Sequence, residues 1–241
     1  MGARCGPMTD KARLLLHCIA DAAAALPHGA RAEGLQRIVH GGLAAVVSRL
    51  DEPARLEVPA KADLLEYARV IRSQHSVADV VPMRFGSVLP GEEEVRAHLE
   101  EQREVYVRAL TRVAGCVELG VRVLLSVSSS PTVPDMSVKP VSRSGAAYLE
   151  ARRRHYSAES QLRERCEALE QSLLSMVAPL CREHRTELPA PRPGEPALCS
   201  LYFLVPREQV PAFRAAVSSI PVEFNTDIAL SGPWPPFNFV A

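Results

Sequence analysis

After Gly145 the chain runs without a glycine as far as Gly194, and from Gly145 to about Arg185 its apolar residues recur at helical spacing. At ~1.5 Å per residue such a helix is a rod of roughly 60 Å. Along it Leu162, Cys166, Leu169, Leu173, Met176 and Leu180 step by four and three alternately, a heptad seam. Burying one leucine is worth roughly 1.5–3 kcal/mol, so a seam of this kind has to be covered. Its cover is either the protein's own helix or sheet or a partner helix. Pro179 lacks the N–H that a continuing helix needs and is expected to kink or end the rod near its last turn.

The flanking segments read as strands and shorter helices. Leu14–Ala20 is an apolar run of strand length, and Ala22–Gly34, broken by Pro27 and Gly29, is a loop or one short helical turn. Two apolar runs, Leu35–His40 and Leu43–Leu50, flank Gly41-Gly42, a hairpin signal. Ala60–Gln74 has helical spacing, and Val80–Phe85 is a strand ended by Gly86. Gly91–Val113 reads as a single amphipathic helix, with Glu92, Glu93 and Glu94 at its positive end. A strand at Val117–Val127 follows, then a Ser/Pro-rich stretch, Ser128–Ser142, expected to be a mobile loop between two regions. Beyond the rod come a proline-rich loop at Thr186–Pro196, a strand at Ala197–Val205, a helix at Arg207–Ser218, a strand at Pro221–Leu230 and a Pro/aromatic tail at 232–241. Strands separated by helices, with hairpins present, predict an α+β fold. The expected domains are 1–115 and 116–241, the second carrying the long helix 145–185 and the tail.

Composition narrows function mainly by exclusion. Lys+Arg and Asp+Glu number 28 each, so the basic excess of a nucleic-acid-binding chain is missing. No apolar run reaches the ~20 residues that span a bilayer, and the polar start of the chain lacks a secretion signal, so a cytoplasmic protein is expected. Cysteines at 5, 18, 116, 166, 181 and 199 form no CxxC and are expected to be reduced thiols. There is no Walker, Rossmann, GxSxG or HExxH motif. Cys181 and His184 would share a helix face, but two further ligands for a metal have no visible source. His17 and Cys18 are strand neighbours and should point to opposite faces, which would keep them from pairing as base and nucleophile. The basic run Arg152–His155 lies among glutamates of the same rod and reads as a solvated, ion-paired face.

Three segments carry a specific resemblance. They are VVPMRFGSVL at Val80–Leu89 followed by Glu92–Val95, SGAAYLE at Ser144–Glu150, and LSGPWPPFNFV at Leu230–Val240. In this order and at these separations they resemble the gas vesicle protein L/F family; LAAVVS at Leu43–Ser48 resembles that family's early strand. The departures are local. Leu14–Ile19 replaces an aromatic-containing opening strand, and Tyr67 stands where the first helix commonly carries a histidine. Ser231 and Phe237 replace threonine and tyrosine. The resemblance implies two α+β domains of ferredoxin-like character, the second with a long coiled-coil-like helix. It implies an accessory role in gas vesicle assembly, binding the hydrophobic shell subunit and other accessory proteins, with a minor place in the shell itself as the alternative. It attributes no catalysis, cofactor or metal to the family; an enzyme of unrecognised type is the remote alternative.

The matched residues have physical roles to fill. If Pro82–Gly86 ends a strand, Met83 and Phe85 share one face and Arg84 the other. Tyr148 sits in the first turn of the long helix, and Leu162, Leu169 and Leu173 belong to its seam. Trp234, Phe237 and Phe239 lie in a tail stiffened by Pro233, Pro235 and Pro236, with Trp234 expected to supply most of its docking energy. Packing and partner contact are both open to these side chains.

Overall fold

The computed structural model describes residues 13–27, 34–50, 59–125, 145–188, 197–219 and 228–240, with side chains from 160 onward in the long helix and from 198 onward in the strand after it. The Ser/Pro-rich stretch and most of the Pro221–Leu230 segment lie outside these residues. Contacts divide the chain into two compact units, Met1–Glu118 with Pro233–Ala241, and Leu119–Gly232. The division thus falls at Glu118 rather than 115, and the tail, expected in the second domain, belongs to the first unit.

In the first unit β1 (Leu14–Asp21) is the central strand. It pairs antiparallel with β3 (Leu43–Arg49), which pairs with β2 (Leu35–His40). Gly41 and Gly42, at φ 58° and 84°, make the β2–β3 turn; two consecutive positive φ angles are what a tight hairpin of this twist needs. On its other side β1 meets β4 (Val80–Pro82) and β5 (Val88–Leu89), two short pieces along one edge. Between them the chain leaves the ladder, and Gly86 takes φ 90° at that turn. The strand therefore ends at Pro82, not Phe85, and β5 follows a detour that the glycine permits.

Every residue from Leu14 to Ala20 is buried, so both faces of β1 are covered. Leu14, Leu16 and Ile19 pack with Val95, Leu99 and Tyr106 from α2 (Glu92–Glu101) and α3 (Arg103–Val113). Leu15, Cys18 and Ala20 pack with Tyr67 and Ile71 of α1 (Lys61–His75). α1 starts where the Asp63 carboxylate accepts the Ala60 N–H, half of a capping box. The helix expected as one at Gly91–Val113 is two, divided at Gln102 (φ −98°, ψ 10°). Backbone bonds from Gln102 N–H to His98 and from Tyr106 N–H to Gln102 still bridge the break. His98 Nε2 and the Tyr106 hydroxyl meet at 2.7 Å across it. Neither Gly nor Pro marks this position, so the division was invisible in the sequence.

The second unit follows from β6 (Cys116–Leu125), which begins in the first. Its helix α4 (Gly145–Val177) ends in a single 3-10 turn through Pro179, as that proline dictates, and the chain then forms a strand, β7 (Glu183–Glu187), where a continuing rod was expected. β8 (Ala197–Pro206) pairs antiparallel with β7, and α5 (Val210–Ser218) and β9 (Ile228–Trp234) complete the unit; the sheet order is β7-β8-β6-β9. Cys181 and His184 therefore share no helix; His184 Nε2 meets Glu170 at 3.0 Å and its ring lies along Phe203.

The seam of α4 is buried at Leu162, Cys166, Leu169 and Leu173, and then at Val177, while Met176 and Leu180 are only partly covered. Steps of four, three, four and four track a straight helix lying on its own unit rather than the 3.5-residue repeat of a supercoil. Its neighbours are α5 and β8, whose Cys199, Leu201, Phe203, Phe213 and Val217 are buried. Cys166 and Cys199 are joined by a disulfide with Cα atoms 6.4 Å apart, which corrects the expectation of reduced cysteines throughout; Cys18, Cys116 and Cys181 remain thiols.

The sulfur bridge closes a sequence separation of 33 residues, for which chain entropy gives about 3–4 kcal/mol of stability. Peptide mapping without reductant is expected to recover the Cys166 and Cys199 peptides joined, and reduction should lower the melting temperature by several degrees. Two alkylatable thiols in the native protein and an unchanged melt would contradict the bridge.

Candidate functional site

Two places in the first unit bring polar and aromatic side chains together. The first is built on a bulge in β1. Leu16 pairs with Val47 and Cys18 with Val46, leaving His17 as the extra residue. The alternation of faces resets there, so His17 and Cys18 both lie on the α1 side, contrary to the expectation that neighbours in a strand oppose one another. His17 stacks on Tyr67 with ring centroids 4.8 Å apart, and Cys18 packs in the same cluster as Tyr67.

Tyr67 organises this region. Its hydroxyl lies 2.8 Å from the Leu16 carbonyl and 3.0 Å from those of Met83 and Arg84, so its single proton, nearest to the strand bulge, has acceptors in the β4–β5 detour within reach as well. Met83 N–H donates to the His17 carbonyl, and Leu16 N–H donates to that of Ser87. Because the strand has already ended, Met83 and Phe85 do not share a face. Met83 packs with the cluster under α2 and α3, and Phe85 sets its ring edge-on to Tyr67 at 5.2 Å on the α1 side. Arg84 is exposed, with no ion pair among the described residues; it contributes its carbonyl, which also receives the Ser87 hydroxyl and N–H.

Around Tyr67 a cavity of about 240 Å³ opens to the surface. Leu15, Val70 and Phe85 form apolar walls, and His17 and Ser48 supply polar atoms, linked by an Nε2···Oγ contact of 2.9 Å. Nδ1 of His17 is buried without a hydrogen-bond partner. Burial pulls the imidazole pKa down to about 4, and it pushes the Cys18 thiol and the Tyr67 phenol well above their ordinary values. Near neutral pH the three groups are therefore uncharged. This is the reverse of a Cys–His nucleophile, which needs thiolate and imidazolium.

The second place is the seat of the tail. Pro235, Pro236 and Phe239 are buried, and Phe239 is fully so, whereas Trp234 and Phe237 remain 38% and 40% exposed. Glu118, itself buried, accepts the backbone N–H of Asn238 at 2.8 Å with one oxygen and its side-chain amide at 2.7 Å with the other. A carboxylate satisfied by two donors holds the tail in register. Trp234 lies flat under the Arg72 guanidinium, 5.0 Å from the ring centre. The anchor is thus Phe239 with Asn238, not Trp234. Of the residues singled out by sequence, Arg84 and Phe85 stand at the first place and Trp234, Phe237 and Phe239 at the second. Leu162, Leu169 and Leu173 belong to the core of the second unit; Tyr148 lies in α4, with its side chain outside the described residues. In the sequence Tyr67 stands out only as replacing a family histidine; Glu118 and Asn238 carry no signal of a role, since they are 120 residues apart and no local pattern connects them.

Phe239→Ala is expected to cost about 3–5 kcal/mol, the range for emptying a fully buried aromatic position. Trp234→Ala should cost no more than about 1 kcal/mol, since its main polar contact is a surface cation–π pair. Chemical denaturation of both variants tests the ranking, and a larger loss for Trp234→Ala would reverse it.

The family model described as gas vesicle synthesis protein GvpL/GvpF matches residues 13–241. Gas vesicle protein F of a Streptomyces species is 30% identical over 216 residues, which cover 84% of this chain and 86% of that protein. Gas vesicle protein L of the same organism is 28% identical over 228 residues, 88% and 85% of the two chains. In three dimensions the chain is similar to the crystal structure of gas vesicle protein GvpF from an Anabaena species, with a TM-score of 0.73 and 18% identity over 95% of this chain and 96% of that one; both mix helices with antiparallel sheet. With the match running from the first strand to the end of the tail, the chain belongs to the gas vesicle GvpL/GvpF family.

Proposed function

We propose that this protein is an accessory factor in gas vesicle assembly that works in the cytoplasm by binding the hydrophobic shell subunit and other accessory proteins, without catalysis. The observation that carries this reading is the family match across residues 13–241. The non-catalytic part is supported by the uncharged state of His17, Cys18 and Tyr67 in the region where reactive side chains converge. No helix among the described residues is long and apolar enough to cross a membrane, which accords with a factor that handles an apolar subunit from outside the bilayer. For the fold, the reading extends to ferredoxin-like character in both units, supported by sheet orders β2-β3-β1-β4 and β7-β8-β6-β9.

The tail suits a binding role. Trp234 and Phe237 face outward, while the prolines between them and Phe239 beyond are buried. Two exposed aromatic rings on a backbone already fixed lose little freedom when covered, and aromatic anchors of this kind dominate protein interfaces.

Co-expression of the tagged full-length chain with the shell subunit is expected to recover both together. A Trp234→Ala/Phe237→Ser variant should fold normally yet retain at least about tenfold less shell subunit, the range of interface hot spots. Recovery of the wild-type chain with washed, intact vesicles would assign it to the shell itself. A wild-type chain that retains neither the shell subunit nor any other gas vesicle protein would overturn the reading.

A further inference from the structure

The cavity beside Tyr67 combines apolar walls with carboxylates at its mouth. Its inner walls are apolar at Leu15, Val70 and Phe85. Its more exposed side carries two carboxylates, Asp63 and Glu66, one helical turn apart on α1, and among the described residues that line it none is a lysine or arginine. Both acids are partly engaged. Asp63 Oδ2 accepts the Ala60 N–H, and Glu66 Oε2 pairs with Arg69. Asp63 Oδ1 and Glu66 Oε1 have no partner among the described residues. His17 adds a buried Nδ1 without a partner. The volume of about 240 Å³ is of the size to take one large side chain.

From this distribution we infer a docking pocket for a protein segment in which a large apolar residue stands next to a lysine or arginine. The apolar side chain enters between Leu15, Val70 and Phe85, and its basic neighbour stays at the mouth against Asp63 and Glu66. The order follows from solvation. An apolar group gains by leaving water, whereas a cation placed on the apolar walls would lose its hydration without a compensating charge. At the mouth the same cation keeps water on one side and gains the remaining oxygens of Asp63 and Glu66 on the other, beside the Arg69 guanidinium that Glu66 already holds. An acidic or phosphorylated segment would meet like charge there. The pocket is distinct from the outward aromatic pair of the tail and does not depend on which protein supplies the segment.

The test uses the intact protein and NMR of the Leu15 and Val70 methyl groups and the His17 ring. The probe is the blocked tetrapeptide acetyl-Gly-Leu-Lys-Gly-amide. Saturable shifts of these three residues are expected. Replacing the leucine of the peptide by glycine should weaken binding at least about tenfold, as loss of one buried aliphatic side chain does. Replacing its lysine by glutamine should weaken it about two- to fivefold, the strength of a solvent-exposed ion pair. Glu66→Gln lies on the surface and leaves the fold intact; it should weaken the lysine peptide by a similar factor and leave the glutamine peptide unchanged. The proposal is overturned if the lysine peptide leaves these resonances unmoved at millimolar concentration. It is equally overturned if the glutamine or a glutamate peptide binds as tightly as the lysine peptide, or if butylamine alone competes as well as the peptide.

Discussion

The phenol of Tyr67 is the point on which the first unit is pinned. A bulge in a fully buried strand disrupts ladder pairing where water cannot repair it, and an unpaired carbonyl there is costly. Tyr67 meets that need at Leu16 and reaches Met83 and Arg84 with the same hydroxyl. The bulge then becomes useful, because it resets the alternation of β1. Leu14, Leu16 and Ile19 face α2 and α3, while Leu15, His17, Cys18 and Ala20 face α1. One strand thereby supplies the cores on both sides of the sheet and, at the bulge itself, the wall of a cavity.

What this arrangement does not supply is a charged reactive group. A histidine, a cysteine and a tyrosine lie together, but burial without an opposite charge keeps each in its neutral form. The acidic groups stand further out, at Asp63 and Glu66, on the side of the cavity that opens to the surface. The tail follows the same economy. Phe239 and the Glu118–Asn238 grip fix it, leaving Trp234 and Phe237 turned to solvent. The family match across the chain gives it a place in gas vesicle formation; that these surfaces meet other proteins is the proposal made above.

Much of this was legible in the sequence, and the exceptions have physical causes. The Gly41-Gly42 hairpin, α1 and the halt at Pro179 follow from local rules, since backbone sterics and apolar spacing decide them. β7 was hidden because an edge strand with the sequence EHRTE has no buried face of its own; its ladder to β8 fixes it. The heptad reading of α4 departs from the structure at Met176 because six residues of seam cannot separate a 3.5 from a 3.6 repeat until the neighbour is known. His17 was dismissed by an alternation rule that a bulge suspends, and nothing in LLLHCIA announces a bulge. At the tail the aromatic residues were recognisable, but their ranking was not, because burial depends on Glu118, far away in the chain.

The most direct measurement is the stability of Tyr67→Phe, which keeps the ring and removes only the hydroxyl. If that hydroxyl serves the buried Leu16 carbonyl of the bulge, the variant loses about 1–3 kcal/mol, the cost of leaving a buried polar group unsatisfied, and amide exchange speeds up at Leu16, Met83 and Ser87, whose N–H groups lie in this region. Equal stability and unchanged exchange would mean that the bulge holds without Tyr67, and the account of the first unit built on it would be wrong.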